Sequence, residues 1–241
     1  MIRGIHRFKI YTEVRHHVTA IVVVILPLLT LLAIGTFHSV DFKTLFIALS
    51  ISFYRLFLGY VLSLILGVSI AIFLGDSQLG DAVMPVLDVL QNVPSFALIP
   101  LFGLMFGYTD LMAIIFVATS VIWPILFYTL SSLRMGRTDW NEAATIFGAR
   151  GFKRLLHYTL PLSLPAIVTG SIVGISIGWE AVIGVEIIGF SSGIGLFLTK
   201  ASTLQNHTML VAGMSILLIF VFMINRLVWA PLLQHTRNYG E

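Results

Sequence analysis

Apolar segments long enough to cross a membrane dominate this sequence of 241 residues. A helix needs about 20 apolar residues to cross the hydrocarbon core of a bilayer. Hydrophobic residues make up 58% of the chain and charged residues only 10%, against about 25% charged residues in soluble domains. The sequence therefore predicts an all-α, polytopic membrane protein. We predict six spans, at 18–35, 44–75, 82–107, 111–133, 161–188 and 209–229.

Small residues recur at every fourth position in two of these segments. Such ladders allow the backbones of two helices to approach closely, so we interpret both as packing surfaces rather than solute contacts. Segment 44–75 is also too long for one straight span, and its first part is expected to be an interfacial helix or an outer extension. Near that outer part, Arg55 is expected to reach the interface or to pair with an acid. The ladders are Gly59, Ser63, Gly67, Ala71 and Gly75, and Gly170, Gly174 and Gly178.

Segment 82–107 contains two prolines at membrane depth. Pro94 and Pro100 remove backbone hydrogen bonds and are expected to kink or break the helix. A break within a membrane persists only where the freed backbone groups face protein or a water-filled path. Candidates to line or gate such a path are therefore Pro94, Asn92 and Ser95. Alternatively, Asn92 and Ser95 form hydrogen bonds between helices.

Segment 161–188 carries two carboxylates, Glu180 and Glu186. An acid in an apolar span is costly, so each is a candidate pathway or gate residue, together with the adjacent Trp179. Either acid is alternatively a structural partner for a backbone or basic group. Because they are six residues apart, they are expected on different sides of one helix.

The basic residues predict which side of the membrane each loop occupies. With a cytoplasmic N-terminus, eleven of the 14 lysines and arginines lie on the cytoplasmic side, as the positive-inside rule expects. Residues 1–17 then form a cytoplasmic basic segment, 18–43 the first span and an outer loop, 44–230 the core, and 231–241 a cytoplasmic tail. The basic residues cluster beside the membrane segments, so they give no indication of nucleic-acid binding. The expected cytoplasmic residues are Arg3, Arg7, Lys9, Arg15, Arg134, Arg137, Arg150, Lys153, Arg154, Arg226 and Arg237.

A basic helix–turn–helix is predicted between the fourth and fifth spans, over residues 139–165. Asp139 followed by Glu142 is typical of a variant capping box that opens a short helix. Gly148 and the following residues predict a turn. Pro161 is tolerated if it lies in the first turn of the next span.

This loop also carries an extended motif. The motif consists of Glu142-Ala143-Ala144, three residues, Gly148, nine residues, Tyr158, one residue and Leu160-Pro161. It resembles the EAA loop of ABC importer permeases. The family pattern is E-A-A-x3-G-x9-I-x-L-P, and Tyr158 replaces its isoleucine. The resemblance implies that the loop at 135–160 docks on a cytoplasmic ATPase and couples its motion to the membrane. The coupling residues that it implies are Glu142, Ala143, Ala144, Gly148, Arg150, Phe152, Leu160 and Pro161.

Further motifs over residues 45–230 resemble the nitrate, sulfonate and taurine branch of these permeases. They include Pro94 to Leu101, Trp123 to Leu126, Glu186 to Gly189 and Gly193 to Gly195. The resemblance implies a type I importer fold in a prokaryotic inner membrane, with a second permease copy, two ATPase subunits and an extracytoplasmic binding protein as partners. A small oxyanion or anionic organic molecule is the expected solute.

The sequence predicts a transport subunit rather than an enzyme. It has no P-loop, H-E-x-x-H or G-x-S-x-G motif, so no catalytic or metal-binding residues are predicted, and ATP and Mg²⁺ are expected on the partner ATPase. Two other functions are weighed against this one. The first is a secondary transporter or channel that uses Glu180 and Glu186. The second is a membrane scaffold whose basic loop binds anionic lipid.

Overall fold

The computed structural model describes residues 41–75, 78–135 and 151–237, and these are helices joined by short turns. The helices are α1 Phe42–Gly75, α2 Gln78–Gln91, α3 Ile99–Phe106, α4 Asp110–Arg134, α5 Gly151–Arg154, α6 Leu160–Gly189, α7 Ile194–Thr203, α8 His207–Ile224 and α9 Ala230–Arg237. A 3₁₀ turn at Ser95–Leu98 precedes α3. The π-helical turns Leu155–Thr159 and Asn225–Trp229 join α5 to α6 and α8 to α9.

Four helical stretches in the described residues are long and apolar enough to cross a membrane: Phe42–Gly75, Asp110–Arg134, Leu155–Gly189 and His207–Thr236. The pair Gly80–Gln91 and Ser95–Phe106, bent by 81°, makes a fifth if it counts as one span. The all-α prediction is confirmed for these residues. The predicted first span, at 18–35, lies outside them. Six spans and the orientation of the termini therefore stay predictions.

Helix α4 lies at the centre of the bundle, with α1 on one side. The small residues of α1 face α4: a Cβ atom added to Gly59 would lie 2.6 Å from Val117 Cγ1, and one added to Gly67 would lie 3.2 Å from Ile125 Cγ2. Between them, the Ser63 hydroxyl donates to the Ala118 carbonyl at 2.9 Å. Larger side chains would hold the helices apart, so the first predicted packing ladder is confirmed.

Helix α6 packs against α4 through the second ladder. A Cβ atom on Gly170 would lie 2.9 Å from the Pro124 carbonyl oxygen, and one on Gly174 would lie 2.9 Å from Val121 Cγ1. Gly178 meets Leu56 of α1 in the same way, at 2.5 Å. The interior of the membrane domain is thus built from three helices that approach each other through small residues.

The structure defines the ends of two predicted segments. Helix α1 is one continuous helix of 34 residues, about 51 Å long. The first part of segment 44–75 is therefore an extension of the same helix, one of the two predicted alternatives, and not a separate interfacial helix. The last span is predicted at 209–229, but the helix continues past residue 229, because α9 runs through Pro231 to Arg237. Pro231 follows the π-helical turn Asn225–Trp229, where the regular bonding pattern has already changed.

Candidate functional site

The break predicted in segment 82–107 is confirmed. Helix α2 ends at Gln91, and Pro94 takes an extended conformation (φ −61°, ψ 114°) before the 3₁₀ turn at Ser95–Leu98. Proline has no N–H for a helical bond, and it disfavours helical geometry in the residue before it. Pro100 falls in the first turn of α3, where no intrahelical N–H bond is lost. Pro94 therefore accounts for the break, and Pro100 does not.

A cavity of about 360 Å³ lies beside this break. Of the predicted path residues, Ser95 lines it. Asn92 does not; it is exposed, and its side-chain amide donates to the Asp88 carbonyl of its own helix. Pro94 is also exposed, outside the lining. The walls are formed by Gln91, Ser95, Ser120, Trp123, Pro124, Phe127, Tyr128 and Ile177.

Glu180 lies on the face of α6 that adjoins the broken segment. Ile177, one turn earlier, lines the cavity, and a Cβ atom on Gly184, one turn later, would collide with the Phe96 ring. These two residues are about 60° and 40° from Glu180 around the helix axis. Glu180 is exposed, so its carboxylate lies at the open edge of the contact between α6 and the broken segment.

The other two predicted residues of α6 point elsewhere. Trp179 is buried, with 6% of its surface exposed, and packs edge-on against Phe220 at 5.9 Å. Its indole N–H has no hydrogen-bond partner among the described residues. Glu186 is completely buried. The predicted separation of Glu180 and Glu186 onto different sides of the helix is therefore correct, and of these three residues Glu180 lies on the face that adjoins the broken segment.

Glu186 belongs to a buried ion-pair network at the predicted outer end of the bundle. Its carboxylate accepts a hydrogen bond from Arg55 Nη1 at 2.7 Å. Arg55 Nη2 lies 2.7 Å from the Asp110 carboxylate, and Nε donates to the same carboxylate at 2.8 Å. Arg55 also donates to the Ser192 carbonyl and hydroxyl. Arg55 thus pairs with two acids, and the guanidinium, which has five N–H donors, has a partner for each.

The Glu186 carboxylate is fully bonded as well. It accepts from the Ser52 hydroxyl at 2.8 Å and from the Gly195 N–H at 2.9 Å. Gly193 has a φ of +111°, and a Cβ atom there would collide with the carboxylate. A buried charge is tolerated only when it is paired and hydrogen-bonded. The network therefore joins α1, α4, α6 and the loop before α7, and it gives Glu186 a structural role.

Sequence reasoning missed three members of this network. Ser52, Asp110 and Ser192 are far apart in the chain, and nothing local marks them as partners. The spacing of Ser52 and Arg55, three residues apart on one helix face, is the only signal that could have linked two of them.

The predicted coupling loop is described only at its C-terminal end. Glu142, Ala143, Ala144, Gly148 and Arg150 lie outside the described residues, as does the side chain of Phe152. Leu160 and Pro161 are half-buried and begin α6. The placement of Pro161 in the first turn of α6 is correct, and the π-helical turn at Leu155–Thr159 comes directly before it.

Comparison with known proteins decides the family. Residues 59–229 match the model of the family described as "Binding-protein-dependent transport system inner membrane component". This match covers α4, α6, the broken segment and the E-A-A motif. The chain belongs to this family. It is accordingly an ABC importer permease and a multi-pass inner-membrane protein.

Several relatives of this permease are named for the solutes that they transport. It is 31% identical over 173 residues to the "Putative aliphatic sulfonates transport permease protein SsuC" of Bacillus subtilis, with 71% of this chain and 63% of the relative covered. It is 28% identical to the "Nitrate import permease protein NrtB" of Synechococcus elongatus, with coverages of 66% and 57%. The chain thus spans less than two thirds of the length of these relatives. The predicted nitrate, sulfonate and taurine branch is confirmed.

A solved structure, "Inward facing conformations of the MetNI methionine ABC transporter", supports the fold of the permease. The match has a TM-score of 0.66 at 18% identity. It covers 80% of this chain and 94% of the other. This likeness establishes the type I importer fold alone.

Proposed function

We propose that this permease is the transmembrane subunit of an ATP-driven importer and forms an alternating-access path for a small solute. The match of residues 59–229 to the permease family carries the proposal. In the proposed assembly, two copies of this chain face each other. A cytoplasmic ATPase dimer supplies energy from ATP and Mg²⁺, and an extracytoplasmic binding protein delivers the solute.

The coupling loop is proposed to carry the motion of the ATPase into the bundle. Glu142 holds the docking helix by capping it or by pairing with a basic residue of the ATPase. Gly148 permits the turn, and Leu160 and Pro161 anchor the return into the membrane. The chain is helical without interruption from Gly151–Arg154 through the π-helical turn to Leu160–Gly189. A displacement at the loop would therefore reach Glu186 and its network through one helix.

The solute is proposed to be a small oxyanion or a small anionic organic molecule. The names of the relatives support this class, since they specify sulfonates, nitrate and, for the Escherichia coli relative, taurine. The break at Pro94 and the cavity beside it, to which Gln91, Ser95 and Ser120 contribute polar groups, are compatible with such a path.

Ion or proton coupling through the two carboxylates is the weaker alternative. A coupling carboxylate has to exchange its ion with water or solute. Glu186 is completely buried and is bonded to Arg55, Ser52 and Gly195. This arrangement supports a structural role for Glu186 and leaves Glu180 without the second carboxylate that the alternative requires.

The proposal is tested by affinity purification of the tagged chain from mild detergent, followed by mass spectrometry. We expect an ATPase subunit to co-purify and to be lost when Glu142 and Gly148 are replaced. Replacement of Gly148 alone by a bulky residue should spare membrane insertion and uncouple ATP hydrolysis from uptake. A chain that purifies alone and still moves solute into liposomes would overturn the proposal.

A further inference from the structure

The position of Glu180 is costly if this face of α6 contacts lipid. A charged side chain within the hydrocarbon region is strongly unfavourable. Glu180 is exposed in the isolated chain and lies nine residues before the outer end of α6 at Gly189. Its surroundings must therefore be water, solute or protein rather than lipid. The helix break at Pro94, which α6 contacts close to Glu180, favours a place beside the proposed transport path.

No lysine or arginine of the described residues forms an ion pair with Glu180. Arg55 is buried, with an exposed fraction of 2%. Its five N–H groups are already directed to Asp110, Glu186 and Ser192. Arg226 lies towards the predicted inner end, in the turn Asn225–Trp229.

The cavity beside Glu180 has aromatic walls. Trp123, Phe127 and Tyr128 all line it, and the rings of Trp123 and Phe127 are stacked with centroids 6.4 Å apart. The faces of aromatic rings attract cations, and cages of such rings bind ammonium groups in proteins. A second acid, Asp88, lies one turn before Gln91 and accepts a hydrogen bond from the Gln91 amide at 3.2 Å.

From the aromatic walls and the adjoining carboxylate, we infer that this cavity binds the ammonium group of the solute. The inference rests on the proposed transport function and narrows its solute to molecules that carry a cationic amine as well as an anionic group. A bare oxyanion lacks the charge that Glu180 and the ring faces attract. Glu180 and Tyr128 are then specificity-determining residues of the path.

The test compares solutes that differ only in the amine. Equilibrium dialysis of the purified full chain, with any co-purifying ATPase, would measure binding of radiolabelled 2-aminoethanesulfonate, its N-trimethyl derivative and ethanesulfonate. We expect both amines to bind at least tenfold more tightly than ethanesulfonate. Glu180→Gln and Tyr128→Leu should each weaken amine binding about tenfold without weakening the binding of ethanesulfonate. Both positions are exposed, so these substitutions should spare the fold.

Ser176→Ala is the matched control. Ser176 is exposed one turn before Glu180, and its hydroxyl donates to the Ile172 carbonyl of its own helix. This variant should bind all three compounds like the wild type. The inference would be overturned if the amines and ethanesulfonate bound equally well, or if neither bound. Amine binding that Glu180→Gln leaves unchanged would also overturn it. If an ATPase still co-purifies in those cases, the ammonium site alone fails and the transport function stands.

Discussion

Arg55 and Glu186 form the most deeply buried ion pair among the described residues, with side chains 3% and 0% exposed. Removal of Glu186 takes away the buried partner of Arg55 and leaves the largely exposed Asp110 as its remaining acid. Loss of one partner of a buried ion pair typically costs about 3–5 kcal/mol. We therefore expect Glu186→Ala to lower the free energy of unfolding by about that amount. Thermal unfolding of the detergent-purified protein would measure the loss.

Asp110→Asn is the control for this prediction. Asp110 contacts the same guanidinium, but 60% of its side chain is exposed. Solvent screens such a pair, so we expect a loss below about 1 kcal/mol. Equal losses for the two variants would show that burial does not decide the strength of the pair.

Position 193 requires glycine for two reasons, the backbone conformation and the contact with Glu186. Its φ of +111° is unfavourable for any side chain, and a Cβ atom would collide with the Glu186 carboxylate. Gly107 shares the positive φ, at +64°, but its Cβ atom would meet nothing closer than 3.8 Å. Gly193→Ala should therefore lower the thermal stability clearly more than Gly107→Ala, which carries only backbone strain of about 1 kcal/mol. A reversed order would refute this assignment.

At the scale of helices, the close approach of α6 and α4 predicts a graded response to added methyl groups. Gly170→Ala places a Cβ atom 2.9 Å from a backbone oxygen and 3.0 Å from a backbone Cα atom. Backbone cannot move aside cheaply, so we expect a loss of about 1–3 kcal/mol. Gly67→Ala meets only side-chain atoms at 3.2 Å or beyond and a carbonyl at 3.4 Å.

Gly67→Ala therefore serves as the matched control for Gly170→Ala. Both glycines lie within helices, so both substitutions gain a similar helix propensity of about 1 kcal/mol. We expect Gly67→Ala to remain within about 1 kcal/mol of the wild type. Comparable destabilisation of the two variants in thermal unfolding would contradict the packing argument.

What the sequence could predict depends on how local each signal is. The ladders and the break at Pro94 were predictable, because a four-residue period and a missing N–H act within one helix. The partners of Arg55 were not, since Glu186 lies 131 positions away and only the packing of α1 against α6 brings them together. The continuation of the last helix past residue 229 was not predictable from the sequence around Pro231, which follows a π-helical turn.

For the whole molecule, the transport proposal requires that the coupling loop and the ion-pair network lie on opposite sides of the membrane. Helix α6 connects them. The protein contains no cysteine, so single cysteines can be introduced without first removing native ones. Ser191, beside the network, and Lys153, in α5, are both exposed and suit this purpose.

We expect a membrane-impermeant maleimide to label the Ser191→Cys variant in right-side-out vesicles and the Lys153→Cys variant only in inside-out vesicles. The physical reason is the asymmetry of basic residues, eleven of 14 on the predicted cytoplasmic side, because positively charged loops are retained there. Labelling of each variant after detergent lysis controls for access to the thiol. The opposite pattern would place the E-A-A motif outside the cell, where no ATPase could dock. Labelling of both variants from one side would mean that α6 does not cross the membrane between them.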